Sequence, residues 1–106
     1  MSAELTRTCD LEVTNRAGLH TRVALMIFKK MQEFSGSATL RKKGTGVTAD
    51  CRRMIDILAL GAAQGDFVTL TVIGQDAESL QKELITLFEN KFYEDEHSKD
   101  EHSDEE

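Results

Sequence analysis

Residues 67–88 read FVTLTVIGQDAESLQKELITLF and contain the clearest strand and the clearest helix of the chain. Residues 67–73 are rich in β-branched and aromatic side chains, which favour a strand. Gly74-Gln75-Asp76 supplies a turn and a helix cap. The apolar residues that follow recur at helical spacing and predict an amphipathic helix. They are Ala77, Leu80, Leu84, Leu87 and Phe88.

Three shorter strands are predicted upstream of this stretch. Apolar and polar residues alternate over residues 9–15, which indicates a strand with one buried face. Similar short patterns occur at residues 38–40 and 47–49, and Lys43-Gly44-Thr45-Gly46 between them has the composition of a hairpin turn.

Two further helices are predicted from apolar residues at helical spacing. The first runs from Thr21 to about Glu33, and the second covers residues 54–62, with Asp50 as its N-cap and Gly65 as its end. The complete order is strand, helix, strand, strand, helix, strand, helix. Hairpin-length connections mixed with helices predict an α+β fold, with an antiparallel sheet and the helices on one face.

The charge of the chain is distributed unevenly. The 106 residues are 40% apolar and 30% charged, which is typical of one globular domain. Residues 91–106 contain eight acidic and two basic side chains, so the net charge of −6 lies there and residues 1–90 are neutral. Nucleic acid is not an expected partner, because binding it requires a basic excess on one face. We expect one domain at residues 1–92 and an acidic, disordered tail at residues 93–106.

The chain lacks the sequence features of a membrane or secreted protein. No apolar run approaches 20 residues, and the N-terminus has no apolar signal segment, so membrane insertion is not expected. The two cysteines, Cys9 and Cys51, fit neither a metal motif nor a disulfide framework. We expect a cytoplasmic monomer.

His20 lies where a glycine-containing turn meets the start of the first predicted helix. The first N–H groups of a helix have no partner within it, and the helix dipole places partial positive charge there, so an anion is favoured. Arg22 can direct further donors to the same point. On this local chemistry alone, an ordinary polar loop histidine beside a solvated arginine is the simpler interpretation.

Residues 15–24, NRAGLHTRVA, resemble the active-site signature of the HPr family, the histidine phosphocarriers of the bacterial phosphotransferase system. The usual form of that signature is Gly-(Leu/Met/Ile)-His-Ala-Arg-Pro-Ala. Residues 54–65 are similar to the family's second helix and residues 74–78 to the turn before its last helix, so the resemblance spans about residues 10–92. The helix spacing is most similar to that of the nitrogen-type paralogues. The resemblance implies an HPr-like open-faced two-layer sandwich, with a four-stranded antiparallel sheet and three helices.

The resemblance also implies a function. His20 would accept a phosphoryl group through Nδ1 from enzyme I, ultimately from phosphoenolpyruvate, and pass it to a downstream EIIA-type protein. Arg22 would support the phosphate. Such a protein is a phosphoryl carrier rather than a stand-alone catalyst, and no cofactor or metal is implied. The alternative is a regulatory module of the same fold that acts by binding a partner protein.

Two residues of the phosphate-binding first turn differ from the usual signature and keep that alternative open. Thr21 replaces alanine and adds a hydroxyl that could cap the backbone or touch the phosphate. Val23 replaces proline, which restores a backbone N–H. The loss of proline also makes the turn less rigid and should lower stability by about 0.4–1 kcal/mol.

A third difference concerns the serine that a kinase phosphorylates in Gram-positive members, at the start of the second helix. Counting back from the end of that helix places Arg53 at this position, and counting forward places Cys51 there. Neither side chain can replace the serine.

A carrier must also present a face to its partners. The resemblance places that face on the first two helices, and the expected docking residues are Lys29, Arg53, Met54 and Ile57, with Arg22 at the rim. An apolar centre with a basic rim suits transient contacts with acidic partners.

Three other features have simpler interpretations. Cys51 beside Arg52 and Arg53 could be a reactive thiolate, but a buried cysteine is the more common outcome. The glycines of residues 44–46 indicate a hairpin turn rather than a dinucleotide site. His97 and His102 could bind a divalent metal, but their spacing fixes no coordination geometry, so no metal site is expected.

Overall fold

The computed structural model describes residues 5–94, and in this range it contains four strands and three α-helices in the predicted order, followed by a short 3₁₀ turn at Lys91–Tyr93. The elements are β1 Leu5–Glu12, α1 Thr21–Met31, β2 Ser37–Lys42, β3 Thr48–Asp50, α2 Met54–Ala59, β4 Phe67–Gly74 and α3 Ala77–Glu89. The α+β fold predicted from the sequence is confirmed.

The four strands form one antiparallel sheet in the order β1-β4-β2-β3. The most strand-like segment of the sequence, β4, is a central strand, and its Leu70 pairs with Cys9 on one side and with Leu40 on the other. Val68, Leu70 and Val72 are buried, whereas the residues between them are partly exposed, as a period of two requires. One face of the sheet therefore carries the apolar side chains.

The helices cover this apolar face and complete the core. Each α-helix contributes side chains that are at most 1% exposed: Ile27 and Met31 of α1, Ile57 of α2, and Leu80 and Leu84 of α3. Full burial of such a side chain stabilises the folded state by about 1.5–3 kcal/mol relative to leaving it exposed. None of the helices within residues 5–94 has the length and apolar character needed to cross a membrane.

The first strand begins and ends earlier than residues 9–15. It leaves the sheet after Glu12, because the backbone of Val13 is paired with another segment. The Val13 N–H donates to the Asp66 carbonyl at 2.8 Å, and the Gly65 N–H donates to the Val13 carbonyl at 2.8 Å. The loop before α1 is thereby fixed to the segment that follows α2.

The ends of α2 also differ from the prediction. The carboxylate of Asp50 accepts the N–H of Arg52 at 2.9 Å in a local turn, and Arg53 is the N-cap residue instead. The helix ends at Ala59 because Gly61 adopts a φ of +64°, which is typical of the residue after a helix. Gly65, the predicted end, lies four residues further on. The first helix ends at Met31, two residues before Glu33.

Asp76 connects two turns rather than capping α3 with its side chain. Its carboxylate accepts the N–H groups of Ser35 at 2.8 Å and Gly36 at 3.1 Å. The hydrogen bond from the Ser35 N–H is the main reason that the pKa of Asp76 is lowered from its usual value. The turn between α1 and β2 is thus joined to the turn between β4 and α3.

Candidate active site

The loop before α1 is a tight turn that packs against the end of α2. Gly18 has a φ of +72°, a conformation that favours glycine, and an added Cβ would lie 2.7 Å from the Ala62 carbonyl oxygen. The next residue, Leu19, donates its N–H to that same carbonyl at 3.1 Å. Only glycine allows this close approach, and it sets the position from which the chain enters α1.

Asn15 organises the loop from the inside. It is fully buried, and its side-chain Nδ2 donates to the Gly18 carbonyl at 2.8 Å. The same carbonyl accepts the N–H of His20 at 3.0 Å. The Asn15 side chain and the His20 backbone therefore share one acceptor. The turn composition of residues 15–18 predicts such a loop but does not predict the burial of Asn15.

His20 is the N-cap residue of α1. Its backbone is extended, with φ −95° and ψ −172°, and its carbonyl accepts the N–H of Ala24 at 2.8 Å. The side chain is partly buried. Its Nε2 atom is buried and has no hydrogen-bond partner within residues 5–94.

The N–H groups of Thr21, Arg22 and Val23 precede the first hydrogen bond of α1. In a helix these groups have no internal partner, and the dipole places roughly half a positive charge at this end. The side chain of Thr21 is exposed, whereas that of Val23 is fully buried in the core. The helix start can bind an anion through its backbone.

Arg22 does not lie where the sequence predicts. Its Nη1 donates to the Phe92 carbonyl at 3.1 Å and lies 3.3 Å from the Met26 sulfur. Within residues 5–94, no hydrogen bond joins its guanidinium to His20. In this structure the guanidinium is bound one turn further along α1.

A segment after α3 that the sequence pattern does not predict, the C-terminal strap (residues 91–94), contacts the loop before α1 and the first turn of α1. Phe92 is fully buried and packs against Phe88 with ring centroids 4.9 Å apart. Glu94 accepts hydrogen bonds from Asn15 and Ala17. Residues 93 and 94, which the predicted tail includes, are thus among the described residues, whereas residues 95–106, including His97 and His102, lie outside them.

The expected docking residues are only partly exposed. Lys29 and Arg53 are exposed and Met54 is partly buried, but Ile57 is fully buried and cannot contact a partner from the surface. It faces the core because α2 turns its other side outward. On that side Ile55 is 69% exposed and Leu58 is 37% exposed, so these are apolar side chains that α2 presents to solvent.

Cys51 is not a reactive thiolate. It is fully buried, and this burial raises the pKa of its thiol to about 12. Within residues 5–94, no group of three or more histidine, cysteine or acidic side chains is arranged to hold a metal ion.

Comparison with known proteins identifies the family. Residues 7–90 match the family model described as PTS HPr component phosphorylation site. The chain is 35% identical to the phosphocarrier protein HPr of Xylella fastidiosa over 86 residues, which are 81% of this chain and 94% of that protein. It is 33% identical to the phosphocarrier protein NPr of Escherichia coli over 85 residues, 80% of this chain and 93% of the relative.

A solved structure gives the same result for the fold. The crystal structure of HPr from Thermoanaerobacter tengcongensis superimposes with a TM-score of 0.76 at 31% identity, covering 83% of this chain and 97% of that one. The four-stranded antiparallel sheet with three helices is the HPr-like open sandwich that the sequence resemblance implied. The chain thus belongs to the HPr family of the phosphotransferase system.

Proposed function

We propose that the protein is a phosphocarrier in which His20 accepts a phosphoryl group from enzyme I and passes it to a downstream EIIA-type protein. The observation that carries this proposal is the position of His20 as the N-cap residue of α1, with the Nε2 atom of its side chain buried. A buried nitrogen cannot be reached by a phosphoryl donor. Nδ1 is therefore the nitrogen left to react, in agreement with the family resemblance.

The proposed transfer exchanges one bond to phosphorus for another and uses no metal or cofactor. The lone pair of Nδ1 attacks phosphorus, the bond between phosphorus and its leaving atom in the donor breaks, and that electron pair stays with the donor. This requires the neutral tautomer of His20 with its proton on Nε2. The backbone N–H groups of residues 21–23 supply donors for the phosphoryl oxygens at the positive end of the helix dipole.

Arg22 supports the phosphoryl group in this proposal only after it leaves the Phe92 carbonyl. A guanidinium can donate two parallel hydrogen bonds to an anionic phosphoryl group, and this bidentate ion pair is stronger than one bond to a neutral carbonyl. The incoming phosphoryl group therefore competes favourably with the single bond of 3.1 Å to Phe92. In this proposal Arg22 donates to the Phe92 carbonyl in the unphosphorylated protein and to the phosphoryl group once His20 is phosphorylated.

The proposed docking face consists of the exposed parts of α1 and α2. Leu25, Ile55 and Leu58 are exposed apolar residues on these helices, and Lys29 and Arg53 add positive charge. This combination suits transient binding of acidic partners. Because phosphoenolpyruvate is a cytoplasmic metabolite, we place the protein in the cytoplasm. One copy of the site is enough for the reaction, so we propose a monomer.

Incubation with phosphoenolpyruvate and enzyme I tests the proposal. We expect one acid-labile phosphate per chain in the wild type and none in His20→Ala, with His97→Ala and His102→Ala as controls that retain it. An unlabelled wild type would favour the regulatory module instead. Label that remains in His20→Ala would show that another group is the acceptor.

A further inference from the structure

We infer that Glu94 is a positioning residue for phosphoryl transfer, whose carboxylate holds the loop that presents His20. The inference rests on the proposed function. It assigns a role to a residue of the C-terminal strap that lies 74 positions from His20 in the sequence.

The carboxylate of Glu94 makes three hydrogen bonds to the loop. Its Oε1 accepts Nδ2 of Asn15 at 2.9 Å, and the N–H of Ala17 donates to Oε1 at 3.3 Å and to Oε2 at 3.1 Å. Both oxygens are therefore used, and the bonds are charge-assisted, which makes them stronger than bonds to a neutral acceptor. The loop has this anionic clamp on its outer side.

A chain of hydrogen bonds connects the clamp to the backbone of His20. Asn15 Nδ2, which donates to Glu94, also donates to the Gly18 carbonyl at 2.8 Å. That carbonyl accepts the N–H of His20 at 3.0 Å. Asn15 is fully buried in the intact protein, so removal of the Glu94 side chain takes away the acceptor of one of its amide protons. Glu94 acts on His20 through the loop and not by contact with the reacting atoms.

The strap that carries Glu94 has a specific backbone geometry. Lys91, Phe92 and Tyr93 have φ values of +54°, +51° and +60°, although none is a glycine. Three successive left-handed residues persist only where the surrounding contacts hold them. Here Phe92 is buried against Phe88, and its carbonyl accepts Nη1 of Arg22. This turn reverses the chain after α3 and directs Glu94 onto the loop.

Kinetics can distinguish an effect on the orientation of His20 from an effect on the affinity for the partner protein. A loop that is less firmly held presents the imidazole in the reactive orientation for less of the time, which lowers the rate within the complex. It does not change the docking face on α1 and α2. Loss of Glu94 should therefore lower the transfer rate at saturation and leave the half-saturating concentration unchanged.

Rapid-quench measurement of transfer from phosphorylated enzyme I tests this inference with Glu94→Ala, Glu94→Gln and Glu89→Ala. We expect a fall of about threefold to tenfold in the saturating rate of Glu94→Ala. Glu94→Gln should show a smaller fall, because its amide oxygen still accepts one bond. Glu89→Ala, an exposed residue at the end of α3, removes the same charge and should keep the wild-type rate.

Nuclear magnetic resonance of the unphosphorylated protein gives an independent readout. The amide proton of Ala17 should move upfield in Glu94→Ala as its charged acceptor is lost, while Glu89→Ala leaves it in place. Equal saturating rates in Glu94→Ala and the wild type would overturn the inference, as would a loss confined to the half-saturating concentration. An unphosphorylated wild type would instead overturn the proposed function itself.

Discussion

Gly18 and His20 show why the signature needs particular residues at particular positions. Gly18 has a positive φ, and an added Cβ would lie only 2.7 Å from the Ala62 carbonyl oxygen, so a side chain does not fit there. His20, two residues later, takes an extended conformation and starts α1. The glycine therefore permits the close turn, and the histidine is the nucleophile in the proposed function.

Replacement of Gly18 by alanine separates steric clash from backbone strain. Gly61→Ala is the matched control, since Gly61 has a φ of +64° but open space where its Cβ would lie. Strain costs about 1–2 kcal/mol at each position. At Gly18 the clash with Ala62 adds roughly 1–3 kcal/mol. Urea denaturation should show the larger loss for Gly18→Ala, and equal losses in the two variants would contradict this explanation.

Glu94 and Asn15 mark the limit of what the sequence predicts at this scale. The chemistry of His20 could be proposed from a glycine turn, a helix start and a family signature, because all three are local. The clamp on the loop could not, since Asn15 and Glu94 are 79 positions apart and no local pattern relates them. The sequence gives a weak indication that Phe92 is buried, because it lies four residues after Phe88 and continues the apolar spacing of α3.

At the scale of elements, the sequence predicts the four strands and the three α-helices, but several of their ends differ, and the turn at Lys91–Tyr93 is not predicted. Periodicity identifies the elements because burial of one face dictates it. Ends depend on competing partners. Gly61 ends α2 before Gly65 can, and pairing of Val13 with Asp66 ends β1 before Asn15.

Arg52 stabilises the junction between α1 and α2. Its guanidinium donates to the carbonyls of Met31 at 3.0 Å, Phe34 at 2.7 Å and Gly36 at 2.8 Å, where the helix dipole is negative. We expect Arg52→Ala to lower the free energy of unfolding by roughly 2–3 kcal/mol. Arg53→Ala, which removes an exposed side chain paired with Asp56, should change it by less than about 1 kcal/mol. Chemical denaturation that gave the same loss for both variants would exclude this role of Arg52.

Asp76 makes the junction between the two turns sensitive to pH. Its folded pKa is lowered from 3.8, chiefly by the hydrogen bond from the Ser35 N–H, so the folded state favours the carboxylate. Its contribution is therefore complete above the unfolded pKa and is lost as pH falls through the folded value. Asp76→Asn should lower the urea midpoint at pH 7, and the difference from the wild type should shrink below about pH 3.8. A difference that stays constant down to pH 2 would contradict this.

At the scale of the whole molecule, the loop before α1 is held by two distant segments of the chain, the end of α2 and the C-terminal strap. His20 follows this loop as the N-cap residue of α1, and Glu94 is hydrogen-bonded to the loop. We accordingly place the domain boundary after residue 94. The remaining residues 95–106 contain seven acids and one lysine, so the charge excess of the chain lies outside the domain.

Charge reversal on the docking face tests its role in the whole protein. Lys29→Glu and Arg53→Glu should slow transfer from enzyme I roughly twofold to tenfold at low salt, because rim charges steer association. The salt dependence of the rate should also weaken. Lys82→Glu is the control on α3, where the residue is exposed away from the proposed face. Equal slowing by all three variants would indicate an effect of net charge only and would remove this face from the proposal.

The most direct test of the proposed phosphoryl site is to identify the nitrogen that carries the phosphate. The protein, labelled with ¹⁵N at its histidine side chains, is phosphorylated by enzyme I and followed by nuclear magnetic resonance. We predict that only His20 changes and that its Nδ1 bears the phosphoryl group, since its Nε2 is buried. Phosphate on Nε2 of His20, or on His97 or His102, would contradict the account.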